Sequence, residues 1–200
     1  MGAGFSAVFP HRLNGTEIAA MAEKLAGSSL PVLIGHIKEI QYNNPHVSCS
    51  WCWEREQRYT RESNYTKKNL FDSIEEELEC RGTLLLKGPA GIDLLFSRHM
   101  CELQTGSRWV YVLSNPEYRE SIRAVCCEIA GVLDAQFAVY MADSCCASDY
   151  LYDEHSMEYY LSSLHKRFGP PAKSLDVLLL TQERTRSSEG YFIDFFQQRD

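Results

Sequence analysis

The stretch from Arg108 to Ser144, RWVYVLSNPEYRESIRAVCCEIAGVLDAQFAVYMADS, constrains the fold more than any other because each of its joints carries its own punctuation. Trp109, Tyr111 and Leu113 alternate with Val110 and Val112 in an apolar run, the pattern of a strand covered on both faces. Ser114 or Asn115 can accept hydrogen bonds from the amides of a first helical turn, Pro116 already has a helical φ, and Glu117 completes a capping box with Ser114. A helix is therefore predicted to start here. Tyr118, Ile122, Val125, Ile129 and Val132 or Leu133 form its inner face; Glu117, Arg119, Glu120, Arg123 and Glu128 take the outer one. After a break at Asp134 to Gln136, the residues Phe137, Val139 and Met141 begin a second strand. The stretch predicts two strands of one sheet with a helix across it.

Elsewhere the same rules give a coarse map. Phe5 to Phe9 reads as a short edge strand ended by Pro10. Asn14 and Glu17 have capping-box spacing, and Ile18, Met21, Ala22 and Leu25 line one face of a helix closed by Gly27. Val32 to Glu39 alternates as a strand, turned by Asn43-Asn44-Pro45 into a return arm bearing Val47, Cys49, Trp51 and Trp53. Glu54 to Lys68 is polar and aperiodic, an exposed loop or a frayed helical entry. Leu70, Phe71, Ile74 and Leu78 mark a helix with an acidic outer face that Gly82 ends. Leu84–Leu86, Ile92–Phe96 and His99–Leu103 read as consecutive strands, with Gly88-Pro89-Ala90-Gly91 as a turn. Met157, Tyr160, Leu161, Leu164 and Phe168 give a further helix stopped by Gly169-Pro170-Pro171, and Leu175–Leu180 and Tyr191–Phe196 a last pair of strands. The sum is an α+β fold: a single domain spanning 1–200, with a mostly antiparallel mixed sheet and about four helices packed mainly on one face.

Charge and cysteine content narrow the function. With 27 acidic against 20 basic side chains the net charge is −7, which disfavours direct nucleic-acid binding and favours basic proteins as partners. No apolar run approaches the roughly 18 residues of a membrane span, and no export signal is legible, so the chain reads as soluble and cytoplasmic, with its eight cysteines reduced. Cys80, Cys101 and Cys126-Cys127 read as small core residues. Cys49 and Cys52 have metal-ligand or redox spacing, but no second pair completes a site, and on a strand they face opposite ways. Lys87 precedes Gly88-Pro89-Ala90-Gly91, whereas a phosphate loop places its lysine after the glycines and leads into a helix. No cofactor or metal is called for.

The chemistry-bearing groups concentrate between positions 143 and 159. Asp149, Asp153, Glu154 and Glu158 alternate there with Tyr150, Tyr152 and Tyr159, a composition suited to gripping a basic protein: phenol rings supply rigid contact area and carboxylates supply complementary charge. Glu54, Glu56 and Tyr59 form a second patch of the same kind. The competing reading is a metal-dependent or acid/base hydrolase using Asp143, His155 and Asp93. A third is an adaptor or self-associating subunit presenting Trp51, Trp53, Phe192, Phe195 or Phe196 as an apolar patch.

An acidic, aromatic-rich single domain without enzyme motifs resembles the immunity proteins of bacterial polymorphic-toxin and secretion systems. The resemblance is one of general type over the whole chain and carries no residue correspondence. It implies a cytoplasmic monomer or homodimer that covers the basic cleft of one cognate toxin, here with the two acidic and aromatic patches.

Overall fold

The computed structural model describes residues 3–42, 50–60, 66–145 and 147–196. In chain order it contains strand β1 (Gly4–Pro10), helices α1 (Gly15–Ala19), α2 (Met21–Ala26) and α3 (Leu30–Tyr42), and the short strands β2 (Cys52–Glu54), β3 (Gln57–Tyr59) and β4 (Lys67–Asn69). Helix α4 (Ile74–Arg81) precedes the meander β5 (Leu84–Lys87), β6 (Ile92–Phe96) and β7 (Met100–Arg108). Helices α5 (Trp109–Ser114) and α6 (Pro116–Leu133) lead to β8 (Phe137–Ala142), then α7 (Ala147–Tyr152), α8 (Met157–Phe168), α9 (Leu175–Thr185) and β9 (Tyr191–Phe195). Seven strands form one antiparallel sheet in the order β2-β5-β6-β7-β1-β8-β9; β3 and β4 pair as a separate ribbon. The α+β class and the antiparallel sheet are as the sequence predicts.

Registers fix the two faces. Phe5, Ala7, Phe9, Leu84, Leu86, Leu94, Phe96, Cys101, Leu103 and Tyr140 share the first face, and all are buried. It is covered by α6, whose buried stripe is Tyr118, Ile122, Val125, Cys126, Ile129 and Leu133, with α2 and α3 against that helix and α5 beside it. Asn115 accepts from Tyr118 N at 3.1 Å to start α6, and Asp134 in the left-handed region ends it. At the β9 end, Arg123 of α6 donates two hydrogen bonds to Asp194 at 2.6 and 3.1 Å, and Tyr140 donates a third at 3.0 Å. The second face carries Ser6, Val8, Leu85, Asp93, Leu95, Glu102, Gln104, Val139 and Met141. Only part of it lies under α7 and α8.

Four expectations need correction. Trp109–Leu113 is the helix α5: Trp109, Val112 and Leu113 are buried while Val110 and Tyr111 are exposed, and so short an apolar run fits either period. The strand leading toward α6 is β7, which runs to Arg108. Val32–Glu39 belongs to α3, where Leu30, Ile34 and Ile37 are buried at helical spacing and Val32 is 77% exposed. Leu175–Leu180 lies in α9, capped by Ser174 and anchored by Leu178 and Gln182. Phe5–Phe9 is interior to the sheet, paired by β7 and β8, with Pro10 at its end.

The helices number nine among the described residues: the one expected before Gly27 is two, α1 and α2, the helices α3, α5 and α9 stand where strands were expected, and α7 is too short to show a period. The polar segment after Glu54 also holds order, since β3 pairs with β4. The turn expected at 43–45, with Val47 and Cys49 beyond it, lies outside the described residues.

Candidate functional site

The second face is finished differently at its two ends. Around β7 and β1 it is sealed: Ser6 Oγ donates to Glu102 at 2.6 Å, Ser148 Oγ of α7 donates at 2.9 Å, and Gln104 Nε2 donates at 3.0 Å, so a carboxylate only 2% exposed keeps its partners. Tyr160 of α8 reaches Met141 Sδ at 2.9 Å over β8. Helix α7 ends at Tyr152, beside the part of this face that β5 and β6 carry. A depression of about 170 Å³ lies there, lined by Glu54, Arg81, Thr83, Leu85, Leu95, Gln104 and Tyr152. Its floor is the second face of β5, β6 and β7; its walls come from β2, the end of α4 and the end of α7.

Local chemistry holds these walls. Glu77 of α4, 0% exposed, accepts from Arg55 Nε at 3.0 Å, from the Glu56 amide at 3.0 Å and from Arg81 at 3.2 Å. Arg55 also donates to the Phe71 carbonyl at 2.6 Å, which ties the chain after β2 to α4. Gly82 closes α4 at φ +75, and a Cβ built on it would stand 2.9 Å from Glu154 Oε1. The turn between α7 and α8 therefore rests on the end of α4. Arg98 pairs with Glu154 at 3.6 Å on the same turn.

One residue of each patch named from the sequence lines this depression, Tyr152 and Glu54, and Glu56 reaches it through Arg81 at 3.4 Å. Tyr152 is 59% exposed, and Asp149 and Asp153 are exposed beside it. Tyr150, His155 and Tyr159 form one aromatic group, with the His155 and Tyr159 rings stacked at 4.0 Å and Tyr150 5.9 Å from His155. Glu158 is exposed in the first turn of α8, where its own amide and the Ser156 hydroxyl hold its carboxyl below the usual range. Tyr59 stands apart on the β3–β4 ribbon, its ring under Lys67 at 5.6 Å. Sequence reasoning missed Arg81, Thr83, Leu85, Leu95 and Gln104; strand register brings the last three together, and the end of α4 brings the first two to them.

No family model matches this chain, and a search of curated proteins finds no match. Among solved structures, a Pseudomonas aeruginosa T6SS protein, PA0821, aligns with a TM-score of 0.31 at 11% identity. The alignment covers 70% of this chain and 41% of that protein. At this score the likeness carries no argument about fold, activity or partner.

The groups of the hydrolase reading hold separate positions. Asp93 accepts from the Gly88 amide at 3.1 Å, His155 belongs to the tyrosine group with Asp153 at 3.8 Å, and Asp143 lies against Gly4. Among the described residues, no three His, Cys, Asp or Glu side chains are grouped to hold a metal ion. Cys52 is exposed on β2, and Cys49 lies outside the described residues. Cys101 and Cys126 are buried, and burial pushes both thiols up and away from reactivity, whereas Cys80 is exposed. The Gly88 amide that a phosphate loop would need is taken by Asp93, and Trp51 packs over Gly88. Of the apolar-patch candidates, Trp51 is buried, Trp53 donates to the Ala19 carbonyl at 3.3 Å, Phe192 and Phe196 are half-buried, and Phe195 is 69% exposed. No helix among the described residues is long and apolar enough to cross a membrane.

Proposed function

We propose that this chain is a binding protein of the immunity type, which neutralises a cognate toxin by laying the surface around the open depression over the toxin's basic cleft. The observation that supports the reading most is that Tyr152 of one predicted patch and Glu54 of the other line one amphipathic hollow. Its leucine floor accepts the apolar part of an inserted side chain, its rim offers the Tyr152 ring and the Glu54 carboxylate, which shares its charge with Lys87 at 3.3 Å, and the exposed Asp149 and Asp153 stand beside Tyr152. Such a surface captures a basic partner quickly through charge and holds it through the ring contacts.

The hollow is smaller than the pockets of about 300 Å³ or more that take drug-sized ligands. It matches one long side chain of a protein better than a whole substrate. Arg81 on the rim is already engaged by Glu77 and Glu56, so it does not cancel the field of the exposed acids.

The test uses the polypeptide encoded beside this chain's gene. Its co-expression with this chain restores growth that it alone suppresses, and the two purify as a complex. Asp153→Lys combined with Tyr152→Ala abolishes both effects while the isolated variant stays folded. Failure of the wild-type chain to protect or to form a complex contradicts the reading.

A further inference from the structure

The edges of the seven-stranded sheet are unequal, and β9 is the one left open. Phe196 N donates to the Gln136 carbonyl at 2.9 Å, so Phe196, Asp194 and Phe192 direct their backbone groups toward β8. Tyr191, Ile193 and Phe195 direct theirs outward. The Tyr191 carbonyl accordingly accepts from Ala172 N at 2.9 Å on that outer side. Among the described residues, the outward groups of Ile193 and Phe195 meet no partner. The strand Tyr-Phe-Ile-Asp-Phe has no lysine, no proline and no bulge, and its one charge, the inward-pointing Asp194, is paired with Arg123. Phe195, 69% exposed, stands at its end beside Phe137 at 5.7 Å between ring centroids.

We infer that β9 pairs with β9 of a second copy of this chain about a two-fold axis, joining two seven-stranded sheets into one. Because Ala172 occupies Tyr191, the antiparallel register that uses only free groups is centred on Asp194. Ile193 then faces Phe195 of the other copy, both pairs exchange N–H and C=O, and four hydrogen bonds form. The side chains match as well: each exposed Phe195 lies against a half-buried Ile193, an aromatic and β-branched cross-strand pair. The two Asp194 carboxylates approach at the centre, but each is already neutralised by Arg123 and hydrogen-bonded by Tyr140, so they meet as ion pairs. The opposite edge cannot do this equally. Strand β2 has three residues and carries the Glu54–Lys87 pair at 3.3 Å.

This inference is independent of the toxin-binding reading, since β9 and the depression lie at opposite ends of the sheet. Sedimentation of the full chain over a concentration series tests it, with Ile193→Pro and Phe195→Lys as variants and near-ultraviolet circular dichroism as the check on folding. Ile193→Pro removes an outward donor and leaves the ladder to β8 intact. The expected result is a concentration-dependent dimer of twice the 22.9 kDa chain mass, weakened about tenfold or more by either variant. A wild-type chain that stays monomeric up to its solubility limit overturns the inference, as does a dimer indifferent to both variants. Amide exchange in the wild-type chain gives a readout free of mutation. Protection at Ile193 and Phe195 rises with concentration if the edge pairs; its constancy rejects the pairing.

Discussion

The sealed and open halves of the second sheet face are built from the same strands and differ in what covers them. Under α7 and α8, a buried glutamate is held by two serines and a glutamine, and apolar groups fill the rest. Past Tyr152 the helices stop, and strand residues of the same parity, Leu85, Leu95 and Gln104, become the floor of a hollow with a charged rim. The contrast teaches where to seek function in a chain without motifs. Polar groups that are buried and fully partnered account for stability, while polar and aromatic groups that the fold leaves exposed around a cavity are available to a partner.

Mutations should separate the two halves. The largest expected effect is Gly88→Ala, because a Cβ there would stand 2.3 Å from the Ile92 carbonyl and 2.4 Å from the Trp51 ring. Chemical denaturation should show a loss on the order of 4 kcal/mol. A fully stable variant would mean that this turn is not sealed.

Next comes pH. His11 is buried, and burial, opposed by the Met100 and Ser97 backbone and aided by nearby His99, pushes its imidazole down to about 4. Between pH 6.5 and 4 the unfolded chain takes up a proton at this residue that the folded chain refuses, so stability falls as pH falls through that window. The expected contribution is about 3 kcal/mol. Denaturation at several pH values should show this slope in the wild type and lose that share of it in His11→Phe. An identical slope in the two proteins would contradict the assignment.

Glu102→Ala should cost about 2 kcal/mol, because it strands the Ser6 and Ser148 hydroxyls and opens a small void. The smallest effect belongs to the open half. Asp153→Lys and Tyr152→Ala should each change stability by less than about 0.5 kcal/mol, since both side chains are mainly in solvent. A large loss at either would show that the rim is structural.

Much of this framework was legible in the sequence where signals were long or doubly punctuated. Helix α6 has its Asn115 cap, its Pro116 and a five-turn apolar stripe, and the meander β5 to β7 has turn residues at each joint. Short apolar runs were not legible. WVYVL and LDVLLL satisfy either period, and only tertiary packing decides which residues are inside. The acidic and aromatic patches could be read as composition, but the hollow that Tyr152 and Glu54 line could not. It depends on Gly82 and Glu154 bringing the turn after α7 to the end of α4, and on registers that align Leu85, Leu95 and Gln104.

The most direct test of the central claim is amide hydrogen exchange on the complex of this chain with the polypeptide encoded beside its gene. The docking reading predicts new protection in the segments 52–56, 81–87 and 149–159, with the sealed strands β1 and β8 unchanged. A complex whose protection falls elsewhere and leaves those three segments as they are in the free chain would contradict it.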